Sequence, residues 1–379
     1  MFVFRREDLP SDPSFPSDLN KLGYFINNED RIRKISNPEQ DFQFKINRNP
    51  RWNEAQREAM NECIRQIVWS RLDGLGLKQL RLPLGTPVDK PHVPILVSPD
   101  LETASRVVVV FGEPIQDLGV WAYRSVGTNG INAGSAVNFA REVLGHVGSN
   151  TALILANTGQ LIWHCGSRRA VTNASWLAIP RESAVDPPLV MTGRNKIPGH
   201  HNWQEHVEYI FAQILAARDQ FIKKDAKIDV IGIAEGGLAA VRFLATHWSA
   251  WSPYISAICL CNPLHYSHLD LPAGETGSEE DGGSSFAEFL SARCRAYVLS
   301  PKVLDEPVPG YNEHGCNCYS SGEELNIECI MPSAWQSILQ WLAKISGDPF
   351  YSEPRIINEE DGGLDVGRFA DDASVADND

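Results

Sequence analysis

Ile228-Asp229-Val230-Ile231-Gly232-Ile233-Ala234-Glu235-Gly236-Gly237-Leu238-Ala239-Ala240-Val241-Arg242-Phe243-Leu244 is the most informative stretch of the chain. Its first six residues are almost continuously apolar and β-branched, as expected of a strand buried on both faces of a parallel sheet. From Glu235 onward the apolar positions recur at helical spacing. Between strand and helix stands Gly232-Ile233-Ala234-Glu235-Gly236, the G-x-S-x-G outline of a nucleophile elbow with alanine at its apex. Small flanking residues permit the strained turn that lifts the apex residue above the sheet. Ala234 has neither oxygen nor sulfur, so it cannot attack a carbonyl or be activated by a base. Glu235 sits one residue late, where its carboxylate is favourable at a helix N-terminus. The blander alternative is a tight glycine-rich turn of any α/β fold.

On either side, 107–111, 151–157, 255–260 and 296–300 are built like 228–233, and helical patterns separate them at 135–147, 202–222, 236–247, 286–293 and 334–345. Alternating strands and helices predict an α/β fold: a mostly parallel sheet with helices on both faces and right-handed crossovers. Residues 81–347 are expected to form that α/β-hydrolase-like domain. Residues 1–80 read as an N-terminal extension packed on it, with extended pieces at 22–27 and 42–46 and an amphipathic helix over 53–72. A Pro-rich connection, 82–94, leads to a short apolar piece at 95–97.

The chain has 379 residues, 43% hydrophobic, with a formal net charge of −14. That balance disfavours a nucleic-acid binder, which shows a net basic field or patch. Residues 351–379 hold nine acids against Arg355 and Arg368, half of the net charge. Residues 348–379 therefore read as a disordered, solvating acidic tail. The segment 274–284, rich in Gly, Ser and Glu, reads as a surface loop. The opening residues, Met1 to Arg6, do not read as a secretory signal. No apolar run is long enough to span a membrane. Eight scattered cysteines favour a reducing compartment, nucleus or cytoplasm.

A triad would need an acid and then a base beyond the elbow. Asp305 stands where the acid of such a triad would lie, although a solvated loop carboxylate is an equal reading. The base is expected after a strand near 316–321, where Glu323-Glu324-Leu325-Asn326 offers no histidine. His314 precedes that strand and would act from the wrong side. Nucleophile and base are both missing, so the sequence predicts no catalytic residue, only a degenerate elbow of Gly232, Ala234, Gly236 and Gly237 with Asp305 as a relic acid. A vestigial ligand pocket would be walled by Gly112, Glu113, Ala234 and Glu235. His314-Gly315-Cys316-Asn317-Cys318 with Cys329 does not match structural zinc spacing. His200, His201 and His206 read as cap and packing residues, and Trp163-His164 as either pocket lining or core. No metal, cofactor, phosphate-loop or dinucleotide signature is present.

Phe15-Pro16-Ser17-Asp18-Leu19, Leu22-Gly23-Tyr24-Phe25, Arg51-Trp52-Asn53, the strand at 107–111, the glycine elbow and Cys259-Leu260-Cys261-Asn262-Pro263 together resemble the fungal Argonaute-binding protein two (Arb-type) domain family over about residues 10–345. The resemblance implies an α/β-hydrolase-like fold used as a protein-interaction module. It implies protein partners: Argonaute with an Argonaute-binding co-subunit in a small-interfering-RNA chaperone complex that promotes heterochromatin, or a histone-deacetylase-linked complex. It implies neither direct nucleic-acid contact nor a membrane. The chain departs from catalytically competent relatives at Ala234 and at the loop over 323–326, so no catalytic residue carries over. The alternatives are a small-molecule ester or amide hydrolase with a non-standard nucleophile, and a hydrolase-like protein that binds a ligand without turnover.

Overall fold

The computed structural model describes residues 9–145, 150–271 and 284–356. The chain opens with a small antiparallel sheet, β1 (Tyr24–Ile26), β2 (Ile32–Lys34) and β3 (Asn37–Asp41), followed by a long helix, α1 (Pro50–Gly74). Asn49 caps α1 by accepting from the Arg51 amide, and Pro50 opens the first turn, where its missing N–H costs nothing. Then come β4 (Lys78–Leu82), β5 (Val93–Val97), β6 (Arg106–Phe111), α2 (Tyr123–Asn129), α3 (Ala136–Gly145) and β7 (Thr151–Leu155). A hairpin, β8 (Ile162–His164) and β9 (Arg169–Val171), precedes α4 (Asn173–Ala178) and α5 (Trp203–Tyr209). The second half alternates β10 (Lys227–Ile233), α6 (Glu235–Trp251), β11 (Ile255–Cys261), α7 (Ser267–Asp270), α8 (Phe286–Arg293), β12 (Cys294–Val298), β13 (Pro307–Val308), α9 (Tyr311–His314), β14 (Asn317–Ser320) and α10 (Ile330–Gly347).

The nine-stranded sheet runs β13-β14-β12-β11-β10-β6-β7-β5-β4. β6, β7, β10, β11, β12 and β14 pair in parallel, while β5 runs against both β4 and β7 and β13 runs against β14. Leaving aside the short edge strand β13, the second strand is antiparallel and the third and fourth change places. This is α/β-hydrolase topology. Strand β6 shows why its residues chose it: Val107, Val109 and Phe111 enter one core, while Val108 and Val110 enter the other. Period-two alternation with both faces covered leaves no polar side. Met60, Ile64, Val68 and Leu72 of α1 are all at most 3% exposed, so α1 joins the first core with α3 and α10. Phe211, Leu244 and Phe289 cover the opposite face.

Three details differ from the sequence reading. The apolar stretch 202–222 is not one helix: α5 ends at Tyr209 and a π-helical turn occupies Ile210–Leu215. The piece at 42–46 lies after β3 instead of forming a strand, with Phe42 stacked edge-on against Tyr24. The acidic stretch does not begin as solvated chain. Tyr351 and Glu353 are buried, and Glu353 accepts from Arg295, Tyr319 and Trp341. The physical reason is that burying two tyrosine rings and a tryptophan against Arg295 outweighs the charge of a single, fully bonded carboxylate. The rest of the acidic tail (357–379) and nearly all of the expected 274–284 loop lie outside the described residues.

Candidate functional site

The site is built where β10 ends. Ala234 has φ 47° and ψ −119°, a positive-φ conformation outside the αL well that costs a non-glycine residue about 1–3 kcal/mol. The turn is held from both sides: the Ala234 amide donates to the Cys261 carbonyl at 2.9 Å, and the Leu238 amide donates to the Ala234 carbonyl at 3.0 Å. The glycines are sterically required. A Cβ on Gly236 would lie 2.4 Å from the Gly112 carbonyl oxygen, and one on Gly232 would lie 2.3 Å from Gly237 Cα. The elbow is therefore intact as backbone. Its apex side chain is a methyl group that is 3% exposed.

Above β6, Thr158 donates to the Gly112 carbonyl at 2.6 Å and ties down the loop that would form one wall of an active site. Gly112 and Glu113 line a cavity with Gln116, Trp121, Glu328 and Met331, but Ala234 and Glu235 are not part of its lining. Its volume is about 30 Å³. That holds a water or two, whereas small-molecule sites measure roughly 300–1,000 Å³. Burial raises the Glu113 carboxyl above its ordinary range, and Glu235 and Glu328 add like charge.

The remaining parts of a triad are engaged elsewhere. Asp305 Oδ1 accepts from the Tyr297 hydroxyl at 2.9 Å and Oδ2 from the Ser337 hydroxyl at 2.6 Å, which staples the loop after β12 to α10. In the loop after β14, Glu323 accepts from the Leu325 and Asn326 amides and closes a local turn. His314 is paired with His265, each ring bonded to the other's backbone carbonyl at 2.9 and 2.7 Å. Among the described residues, no histidine lines the elbow cavity.

The other sequence candidates have structural roles. His200 and His206 are buried, their Nδ1 atoms 3.0 Å apart, and His206 Nε2 accepts from the Asn157 amide. Burial lowers His200 to about 4 and His206 well below its usual value, so both are neutral. Trp163 is core, packed on His92 with ring centroids 5.0 Å apart. Cys329 bonds Ser125. Among the described residues, no group of three or more His, Cys, Asp or Glu is placed to hold a metal ion, and no helix is long and apolar enough to cross a membrane.

The sequence reading missed the brace behind the cavity. Arg65 of α1 is buried and pairs with Glu58 and Glu62 at 2.6 Å and Asp117 at 3.0 Å. Asp117 also accepts from Tyr123 at 2.6 Å and Gln160 at 2.8 Å. Glu58, Glu62 and Arg65 form a charged stripe at i, i+4 and i+7, which by itself reads as a solvent face. The signal that could have found it was an arginine directly following Cys63 and Ile64 of the apolar stripe.

A family model for the Arb2 domain matches residues 15–304. Cotranscriptional regulator ARB2A of Mus musculus is 25% identical over 374 residues, covering 91% of this chain and 84% of that relative. Cotranscriptional regulator ARB2A of Homo sapiens is 21% identical over 328 residues, covering 81% and 75%. A solved structure of a histone deacetylase from Saccharomyces cerevisiae aligns with a TM-score of 0.42 at 13% identity, over 75% of this chain and 98% of that one. The family match spans the small N-terminal sheet, α1 and the sheet through β12, the elbow included, and on that span the chain belongs to the Arb2 domain family.

Proposed function

We propose that this chain is a non-catalytic protein-interaction subunit that acts in the nucleus, in gene regulation coupled to transcription. The observation that carries the reading is an elbow that keeps its strained geometry while its apex is a buried alanine, with only a cavity of about 30 Å³ beside it. A fold that retains the elbow turn without a nucleophile, with its candidate acid bonded to Tyr297 and Ser337, has a stable surface to offer partners and no reaction to perform. The vertebrate relatives' name, cotranscriptional regulator, supports regulation over turnover. Within that reading, the family resemblance favours two settings: an Argonaute-containing small-RNA complex that promotes heterochromatin, and a histone-deacetylase-linked complex. The cavity beside the elbow, about 30 Å³, is too small for a small-molecule ligand, which favours the interaction role over a ligand-binding one.

The test is affinity purification of the tagged full-length chain from its native cells, with mass spectrometry of the co-purifying proteins. The purified chain is assayed in parallel on p-nitrophenyl acetate and butyrate. Recovery of transcription, Argonaute or deacetylase subunits with no hydrolysis above buffer is expected. Ester hydrolysis that Ala234→Trp abolishes, with no partner recovered, would overturn the reading.

A further inference from the structure

A clasp of two histidines, neither of them lining the elbow cavity, joins the loop after β11 to α9. His265 is 0% exposed and His314 8%. His265 Nε2 donates to the His314 carbonyl at 2.7 Å, and His314 Nδ1 donates to the His265 carbonyl at 2.9 Å. A carbonyl can only accept, so these bonds fix the tautomers, with the proton of His265 on Nε2 and that of His314 on Nδ1. The Ser267 hydroxyl adds a third tie, donating to the Asn312 carbonyl at 2.8 Å. The backbone at Gly315 passes against Leu271 and Ser267, and the backbone at Gly310 passes against Cys318 Sγ and His314. The clasp therefore sits over Leu271 and Cys318, both buried. Helix α7 is four residues long and buries none of them, so its hold on α9 depends on these bonds.

A second proton would affect the two rings differently. His314 Nε2 lies 3.9 Å from a Glu313 carboxylate oxygen, so a proton arriving there meets an anion. His265 Nδ1 is buried and has no hydrogen-bond partner among the described residues. A proton there would make an orphaned donor on a buried cation, and the closed clasp would bear the desolvation of both. The charges around the ring do not offset this. Asp270 of α7 already accepts from the Tyr266 amide and pairs with Arg242 of α6, each at 2.8 Å. Glu313 of α9 is half exposed and stands beside His314. The other titratable groups of these elements are Tyr266 and His268 at α7, Tyr311 of α9, and Cys316 and Cys318 at β14, none of them anionic at neutral pH. Burial therefore holds the His265 pKa below the usual histidine range, against the bond to the His314 carbonyl and the charges of Asp270 and Glu313.

We propose that this clasp is an acid-operated latch: a proton on His265 Nδ1 breaks the reciprocal bonds, releases α7 from α9 and uncovers Leu271 and Cys318. The His265 ring is neutral while the latch is closed and free to protonate once it opens, so acid drives opening. The sign follows from linkage, because the open form binds the extra proton. For a single ring whose open-state pKa is near 6.5, opening rises by up to about tenfold from pH 7.5 to 5.5.

The test is hydrogen exchange with mass spectrometry on the full chain at pH 7.5, 6.5 and 5.5, each rate divided by the intrinsic exchange rate at that pH. Amides of 266–271 and 311–316 report the latch, and those of β6 and β10 report global unfolding. The latch amides are expected to be less protected than the strands at every pH and to lose protection several-fold between pH 7.5 and 5.5. His265→Gln supplies an uncharged amide donor for the His314 carbonyl, so it should flatten that loss to less than twofold. His314→Gln and His200→Gln should leave it in place. Melting curves check that each variant folds, and His265→Asn serves if glutamine disturbs the fold. The wild-type chain gives a check without substitution: in histidine 15N NMR the His265 ring should be neutral at pH 6.5, with its proton on Nε2. A loss of protection under twofold in the wild type, an equal loss in His265→Gln, latch amides as protected as β6 and β10, or a His265 ring half charged at pH 6.5 would each overturn the proposal.

Discussion

Replacing Glu353 with alanine should destabilise the fold by about 3 kcal/mol, although the residue lies in a segment whose composition reads as solvated tail. The Glu353 side chain is 0% exposed. It accepts from Arg295 at 2.7 Å, the Tyr319 hydroxyl at 2.5 Å, the Trp341 indole at 3.1 Å and the Tyr351 hydroxyl. Alanine would strand all four donors. Breaking a buried pair by removing one partner costs about 3–5 kcal/mol, and the low end applies because the Arg295 side chain, 19% exposed, can be rehydrated in part. At this chain length about 2 °C of Tm accompanies each kcal/mol, so a drop of about 6 °C is expected in a calorimetric melt at pH 7. Glu353→Gln keeps an acceptor and loses the ion pair, and should fall about midway. The pH dependence gives the sign. Burial alone would raise the Glu353 carboxyl, but its bonds to the two tyrosines and Arg295 outweigh it and hold the pKa below the ordinary 4.5. A depressed acid contributes its stability above the unfolded value, and that contribution is lost as pH falls through the folded one. The gap between wild type and Glu353→Gln should therefore be full at pH 6 and narrow as the pH falls below about 4.5. A Tm change under 2 °C for Glu353→Ala, or a gap that does not narrow in acid, would refute the account of this network.

Gly236→Ala places a Cβ 2.4 and 2.6 Å from two backbone carbonyl oxygens that cannot swing away, and should cost at least about 2 kcal/mol, read by urea unfolding. Ala234→Ser restores a hydroxyl at the apex but no base in reach, so the variant should hydrolyse p-nitrophenyl acetate no faster than wild type. A measurable gain would mean that a base has been overlooked. His200 and His206 are held neutral by burial, so the unfolded chain binds more protons as pH drops. Stability should therefore decline from pH 6.5 toward about 4, by up to about 3 kcal/mol for His200 alone, and His200→Gln should flatten that limb of a pH-denaturation series.

The elbow and the strands around it were legible because their causes are local. A run such as 107–111 with no polar position has only a doubly covered strand as its home, and Gly232 and Gly236 announce a turn in which backbone meets backbone. The missing nucleophile and the histidine-free loop were also plain, since each is a matter of one residue's identity. Strand β4 was not, because Lys78-Gln79-Leu80-Arg81-Leu82 at the sheet edge shows too few apolar residues to stand out. The histidine clasp was hidden too, since His265 and His314 stand 49 residues apart.

Local pattern and residue identity thus suffice for the α/β sheet, the position of its elbow and the alanine at its apex, because backbone propensity and side-chain chemistry need no distant partner. Tertiary packing had to settle that Ala234 is buried, that Asp305 is spent on Tyr297 and Ser337, and that Arg65 and Glu353 are interior charges. Each of those depends on a partner from another element: Asp117 lies 52 residues from Arg65, and Arg295 lies 58 from Glu353. The free energy of a buried charge is set by the donors and acceptors that folding brings to it, and a linear pattern does not contain them.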